Sequence, residues 1–163
     1  MTIYSPRRSR SLAAKKTEKS RQIITFLLGQ EWFALPINTI QKVVQLGKVY
    51  GDPQGTGISL TNYQGQELLI VDVARRIFGM TAISPHEDTN KARFLLIIQN
   101  ENYEIVGLPI DSSPSIRRVS ESAFIPLPEI YLTQGNIHCI SSTMIQIDNQ
   151  NPLFLLDVAQ LIN

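Results

Sequence analysis

The chain has 163 residues, 43% of them hydrophobic and 18% charged, with a formal net charge of +1. That is apolar material for one compact domain, or for two small β units sharing a core, and no run of about 18 or more apolar residues marks a membrane span. Cys139 is the only cysteine, which rules out an internal disulfide and fits a reducing cytoplasm.

The charge is unevenly spread. Arg7, Arg8, Arg10, Lys15, Lys16, Lys19 and Arg21 against Glu18 give the first 21 residues +6 and leave the remainder at −5. So Ser-rich and weakly apolar a stretch buries too little to offset the entropy of ordering, which predicts a flexible basic tail over 1–21. It reads as a solubilising or weakly steering arm, without specific nucleic-acid contacts. Lys15, Lys16, Thr17 and Glu18 stand where a secretory leader would need a continuous apolar stretch.

The first element is Ile23 to Leu28, whose alternate residues are apolar on both faces, as in an interior strand of a closed or sandwiched sheet. Gly29-Gln30-Glu31 turns the chain, and Trp32 to Leu35 returns antiparallel until Pro36, which has no N–H to extend a ladder. Ile37, Ile40 and Val44 fall at near-helical spacing and predict about one helical turn leading back to extended chain. The glycine-rich stretch Gly47 to Gly57 reads as a loop. Strands follow at Ile58 to Tyr63 and Glu67 to Val71, joined through Gln64-Gly65-Gln66. Asp72 is placed to cap a short helix stopped at Gly79. The polar run from Thr81 to Lys91 predicts a linker.

The plan then repeats. Phe94 to Ile98 and Tyr103 to Leu108 form a second hairpin, with Pro109 in the place of Pro36. Ile110 to Arg118 crosses a Ser-Ser-Pro break and Pro126 to Pro128 makes a stiff bend. A longer connection reaches strands at His138 to Ile140, Thr143 to Ile147 and Leu153 to Leu156, and Asp157 caps a closing helix. The repeat predicts two halves, about 22–80 and 92–163, joined by the linker at 81–91, with an exchange of strands between them left open.

Reactive chemistry is thin. The histidines, His86 and His138, and the lone Cys139 fall short of a zinc ligand set. His138 and Cys139 are neighbours, and in a strand neighbours point to opposite faces, which separates a base from its nucleophile. Asp72 and Asp157 invite a paired-carboxylate reading, yet each follows a strand and precedes a helix, the position of a cap. No GK[ST] follows the glycines, and no aromatic residues interleave with Arg75-Arg76 or Arg117-Arg118. A non-enzymatic interaction protein without metal or cofactor is the expectation.

The stretches FLLGQEWFALPINTIQKVV, GISLTNYQGQELLIVDVARRIFG, IVGLPIDS and PLFLLDVAQLI, in this order, resemble the CheW-like domain family of bacterial chemotaxis coupling proteins over roughly Arg21 to Ile162. The resemblance implies a mainly β fold: two small five-stranded β-barrels packed around a shared hydrophobic core, with short capping helices. It also implies a non-catalytic adaptor that couples the cytoplasmic tip of a methyl-accepting chemoreceptor to the regulatory domain of a CheA-type histidine kinase in chemotaxis or surface motility. Other CheW-like domains are further partners. The alternative is a CheW-like regulatory module that binds a kinase without coupling it to a receptor.

Carried over by position, the protein-binding residues are Ile40, Lys42 and Val43 near the receptor-facing groove, and Asn62, Tyr63, Gln64 and Gly65 at the family's Asn-Leu-Arg-Gly hairpin. Tyr63 stands for its Leu, Gln64 for its Arg, Lys42 for a Glu and Leu69 for a Pro. Losing the guanidinium removes a planar five-donor cation from the hairpin. The setting is cytoplasmic, with recruitment to membrane-associated receptor arrays.

Overall fold

The computed structural model describes residues 19–52, 55–78, 93–134 and 139–162; the expected linker at 81–91 and residues 1–18 of the expected tail lie outside them. The chain begins with a hairpin of β1 (Ser20–Leu28) and β2 (Glu31–Pro36), turned at Gly29 with a φ of 62°. Arg21, read from sequence as part of the tail, is in β1 opposite Val119 and bonds the Glu121 carboxylate at 2.8 Å. A 3₁₀ turn at Ile37–Thr39 follows, held by the Thr39 hydroxyl donating to the Pro36 carbonyl at 2.8 Å. The helical spacing noted there thus amounts to a single turn.

The first half continues through β3 (Ile40–Gln45), β4 (Val49–Tyr50), β5 (Ile58–Tyr63), β6 (Gln66–Val71) and α1 (Val73–Phe78). The second half runs β7 (Phe94–Gln99), β8 (Ile105–Ile110), β9 (Ser115–Ser120), a 3₁₀ turn at Glu121–Ala123, β10 (Phe124–Pro126), α2 (Glu129–Gln134), β11 (Ile140–Ile145), β12 (Leu153–Leu156) and α3 (Val158–Ile162).

Two six-stranded mixed sheets result, ordered β10-β11-β12-β2-β1-β9 and β3-β7-β8-β6-β5-β4. This corrects the expectation of two five-stranded barrels with capping helices. The short strands β4 and β10 bring each sheet to six, and no ladder among the described residues joins β3 to β4 or β9 to β10, so both sheets stay open. With no barrel mouth to cap, α1 and α3 instead seal the space between the sheets, where Val73, Ala74 and Leu161 are buried.

Each half donates its opening hairpin to the sheet built on the other half. Each exchanged hairpin is held on both sides, by a short parallel pairing, Phe33 and Ala34 of β2 beside Phe154 and Leu155 of β12 or Gly107 of β8 beside Ile70 of β6, and by an antiparallel ladder, β1 with β9 or β7 with β3. Counted from Pro36 and Pro109, and from Asp72 and Asp157, the Leu155–Ala34 and Ile70–Gly107 pairs are equivalent. Neither seam extends to its proline, which lacks the N–H for another ladder bond.

Burial on both faces follows. Ile24, Phe26, Leu28, Phe33 and Leu35 of one sheet meet Leu96, Ile98, Val106, Leu108 and Ile110 of the other in one large core. The far face of each sheet holds a smaller cluster, Ile23, Ala34, Val119, Ile145 and Leu153 in one and Leu68, Ile70, Leu95 and Ile97 in the other. Neighbouring residues of one strand, such as Ile23 and Ile24, therefore serve different cores.

At the second seam a Cβ on Gly107 would lie 2.9 Å from Leu95 Cδ1 and 3.1 Å from its Cγ, and Leu95 is itself buried. Overpacking of this kind costs about 1–3 kcal/mol, against a gain of about 0.4–1 kcal/mol from stiffening the unfolded chain. Gly107→Ala is expected to lower stability by about 1 kcal/mol, read as a lower urea midpoint at unchanged slope.

Candidate functional site

Among the described residues strand β3 forms one edge of its sheet and pairs only with β7. Ile40 lies opposite Ile98 and Lys42 opposite Ile97, so Gln41 is an extra residue and the ladder shifts. In a regular strand residues three apart point to opposite faces; the bulge restores parity and puts Ile40 and Val43 on the side of the intersheet core. Ile40 packs partly against that core, Val43 is 38% exposed at its margin, and Lys42 is exposed on the other face.

Asn62, Tyr63, Gln64 and Gly65 lie at the β5–β6 hairpin, where Tyr63 pairs with Gln66 across a two-residue turn. Gln64 has φ 53° and Gly65 φ 79°, the two positive angles of a type I′ turn. Gly65 answers that need without a Cβ, whereas Gln64 meets it under strain. Asn62, Gln64 and Gly65 are exposed, and Tyr63 packs against the smaller cluster around Leu68 and Ile70.

The two groups of residues share one sheet but lie at separate places on it. Strands β7, β8 and β6 stand between β3 and β5, although Val44 and Tyr63 pack on the same small cluster. The fold thus presents an apolar edge and a polar hairpin tip in fixed relation.

Beside the hairpin, the Tyr50 hydroxyl donates to Glu67 Oε2 at 3.0 Å, across β5. Desolvation, then this bond and the Glu67 charge, raise the phenol above its ordinary pKa. In the loop between β4 and β5, Asp52 accepts from the Thr56 amide and hydroxyl and from the Gly57 amide at 2.8–3.0 Å, while Arg75 donates to the Gly55 carbonyl at 2.7 Å. Burial pushes the Asp52 carboxyl up, but the Thr56 and Gly57 donors and the Arg75 charge together outweigh it and hold it below its ordinary 3.8.

The candidates for catalysis have structural occupations. Asp72 accepts from the Arg75 amide at 3.1 Å, and Asp157 from the Ala159 amide at 3.0 Å and the Gln160 side chain at 3.1 Å. Both are helix caps. Cys139 is buried in the intersheet core with φ 71°, and its amide donates to Gln160 Oε1 at 2.8 Å; an inert packing thiol fits that environment. His86 and His138 lie outside the described residues. Arg117 reaches Gln150 and Arg118 reaches Ser20, both at the protein's own surface. No group of three or more His, Cys, Asp or Glu placed to hold an ion occurs among the described residues. No described helix is long and apolar enough to cross a membrane.

Two surface features were not read from the sequence. Ile116 lies opposite Ile24 as Val43 lies opposite Leu96, and is 61% exposed on β9, the edge equivalent to β3. Tyr50 and Leu69 also stand open, on the sheet face that elsewhere builds the intersheet core. Comparing the two halves position by position is the signal that finds both.

A fold of this kind has known relatives. The pattern of the CheW-like domain covers residues 22–163. The chain belongs to the CheW-like domain family. It is 24% identical over 139 residues to the chemotaxis protein CheW of Helicobacter pylori, spanning 83% of this chain and 81% of that one. The crystal structure of the scaffolding protein TtCheW from Thermoanaerobacter tengcongensis shares the fold, with a TM-score of 0.67 at 17% identity over 86% of each chain. CheW-like proteins generally bridge a CheA kinase and chemoreceptors, and this chain is a non-catalytic CheW-like adaptor of chemotaxis signalling.

Two outcomes test the local geometry of this CheW-like surface. Gly65→Ala places a Cβ in the left-handed region, where the cost is about 1–2 kcal/mol, and is expected to lower the thermal midpoint, while Gln64→Asn raises it slightly. For Asp52, whose folded pKa is depressed, the stabilisation is fully present above pH 3.8 and is lost as pH falls through the lower folded value. Amide exchange at Thr56 and Gly57 should therefore accelerate, relative to other protected amides, on the acid side of 3.8, and an Asp52→Asn variant should lose that selective acceleration.

Proposed function

We propose that this CheW-like protein couples the cytoplasmic tip of a methyl-accepting chemoreceptor to the regulatory domain of a CheA-type histidine kinase, at membrane-associated arrays, through contacts of Ile40, Lys42, Val43 and the Asn62–Gly65 hairpin. The observation that carries this reading is the bulged β3 edge, which turns Ile40 and Val43 together toward the margin between the two sheets. An apolar margin with an exposed lysine on its other face and a polar hairpin on the same sheet suits recognition by burial with a polar rim for specificity. Coupling needs no bond chemistry: strands on a shared core hold the two partners in one relation and pass on a change of packing. Other CheW-like domains can dock on the exposed side chains of the same edges.

A second reading follows from Gln64. It offers neither the charge nor the fork of an arginine at the hairpin tip, which favours a regulatory module that binds the kinase and leaves the receptor unengaged.

Separate pull-downs with a CheA-type regulatory domain and a chemoreceptor tip distinguish the two: binding to both supports coupling, and kinase-only binding supports the module. Val43→Glu and Gln64→Glu are expected to weaken receptor-tip binding at least tenfold, about 1.4 kcal/mol, with far-UV circular dichroism and thermal midpoint unchanged. Ile40→Glu should also lower the midpoint, because Ile40 packs partly on the intersheet core. Undiminished receptor binding in the Val43 and Gln64 variants would remove these positions from the interface.

A further inference from the structure

Counting back from the capping aspartates, Leu68 corresponds to Leu153, Leu69 to Phe154, Ile70 to Leu155 and Val71 to Leu156. Three of the four keep their surroundings in both halves. Leu68 and Leu153, and likewise Ile70 and Leu155, serve the smaller clusters, while Val71 and Leu156 serve the intersheet core. The fourth differs: Phe154 is 7% exposed and Leu69 is 38% exposed.

The strands alongside repeat the contrast. Met144, opposite Phe154, is buried, and Ile125 next to it packs against the core. Their equivalents Leu60 and Tyr50 are half-buried and 39% exposed.

The cause is one element. In the second half Leu127 is buried and α2 follows it, setting the Tyr131 ring edge-on against Phe154 with centroids 5.5 Å apart at 71°. In the first half the position of Leu127 is held by Asp52, whose carboxylate ties up Thr56 and Gly57. That polar loop follows β4 as α2 follows β10, and among the described residues nothing equivalent to α2 lies on Tyr50, Leu60 and Leu69, which keep the apolar character of a covered face.

We propose that the Tyr50–Leu60–Leu69 face is a docking surface for an amphipathic helix of a partner protein, seated as α2 is seated in the other half, with an aromatic ring against Leu69. The chain itself displays the mode of binding. Glu67, exposed at the rim and bonded to Tyr50, has no charged counterpart in the second half, where Pro152 holds its place. A helix for the first half therefore carries a basic residue to face Glu67. A second copy does not supply this helix, since its own Tyr131 is engaged on its own Phe154. The surface stands apart from the β3 edge and holds whichever kinase or receptor the chain serves.

The test uses the full chain with methyl-labelled leucines and isoleucines and, as probe, a helix-stapled peptide of the α2 sequence, Leu127 to Gln134, carrying Glu129→Lys. A contact of three side chains is expected to bind at about 1 mM, with saturating shifts at the Leu60 and Leu69 methyls and none at Ile116. The same peptide with Tyr131→Ala should bind at least tenfold more weakly, as should the probe on protein carrying Leu69→Asp. Leu69→Ser serves as a milder second variant should the aspartate disturb folding. Shifts absent at several millimolar, or unaffected by both substitutions, overturn the proposal. Self-association in sedimentation that Leu69→Asp abolishes gives the face to a second copy and equally overturns it.

Discussion

The fold depends on an exchange of hairpins, each held on one side by a short parallel seam, Ala34 beside Leu155 or Gly107 beside Ile70, and on the other by an antiparallel ladder, β1 with β9 or β7 with β3. A two-stranded hairpin alone is marginal in water, and here neither hairpin has its sheet within its own half. The halves are consequently one folding unit despite their repeated sequence. The seams also explain the small residues at their centres. Gly107 leaves Leu95 nearly no space to yield, and Ala34 is fully buried in the equivalent place. Larger side chains there would crowd the smaller clusters on the outer faces of the sheets.

From that exchange comes the double burial. A strand between two cores cannot follow a simple inside–outside alternation, which is why β1 and β7 read as continuous apolar runs. The same arrangement leaves β3 and β9 at outer edges, where only one neighbour is available. Edges of this kind invite further pairing unless blunted, and β3 carries both a bulge and an exposed lysine, two devices that discourage it. Its binding capacity is thus directed to the side chains of Ile40 and Val43 rather than to its backbone.

Much of the strand plan was legible because apolar alternation and turn residues are local properties. Ile58 to Tyr63 and Leu153 to Leu156 coincide with observed strands, and Asp72 and Asp157 cap helices where a carboxylate after a strand suggests it. What stayed hidden is relational. Alternation says which face of a strand is buried and not which strand lies beside it, so the two open sheets replaced the barrels that the family resemblance implied. β4, with two residues, is shorter than any periodic signal, and α2 passed as a connection because its apolar residues span a little over one turn. At the candidate site the residue positions were legible, but the bulge that turns Ile40 and Val43 to one side has no sequence mark beyond the polar Gln41. The strain at Gln64 was equally concealed, since the turn residues named only its length.

The duplication gives a way to separate folding from function. Positions that agree between the halves, the prolines closing β2 and lying in β8, the small seam residues and the capping aspartates, are accounted for by the fold, which needs each of them twice. Positions that disagree answer to something else. Leu69 against Phe154, Tyr50 against Ile125 and Asp52 against Leu127 all fall on one face and all leave the first half barer than the second. Covering that face with a single helical turn costs a chain little, as α2 shows. Its absence among the described residues of the first half therefore marks the place where symmetry was not needed for stability, and an adaptor, which has no reaction to perform, has only its surfaces on which such a difference can act.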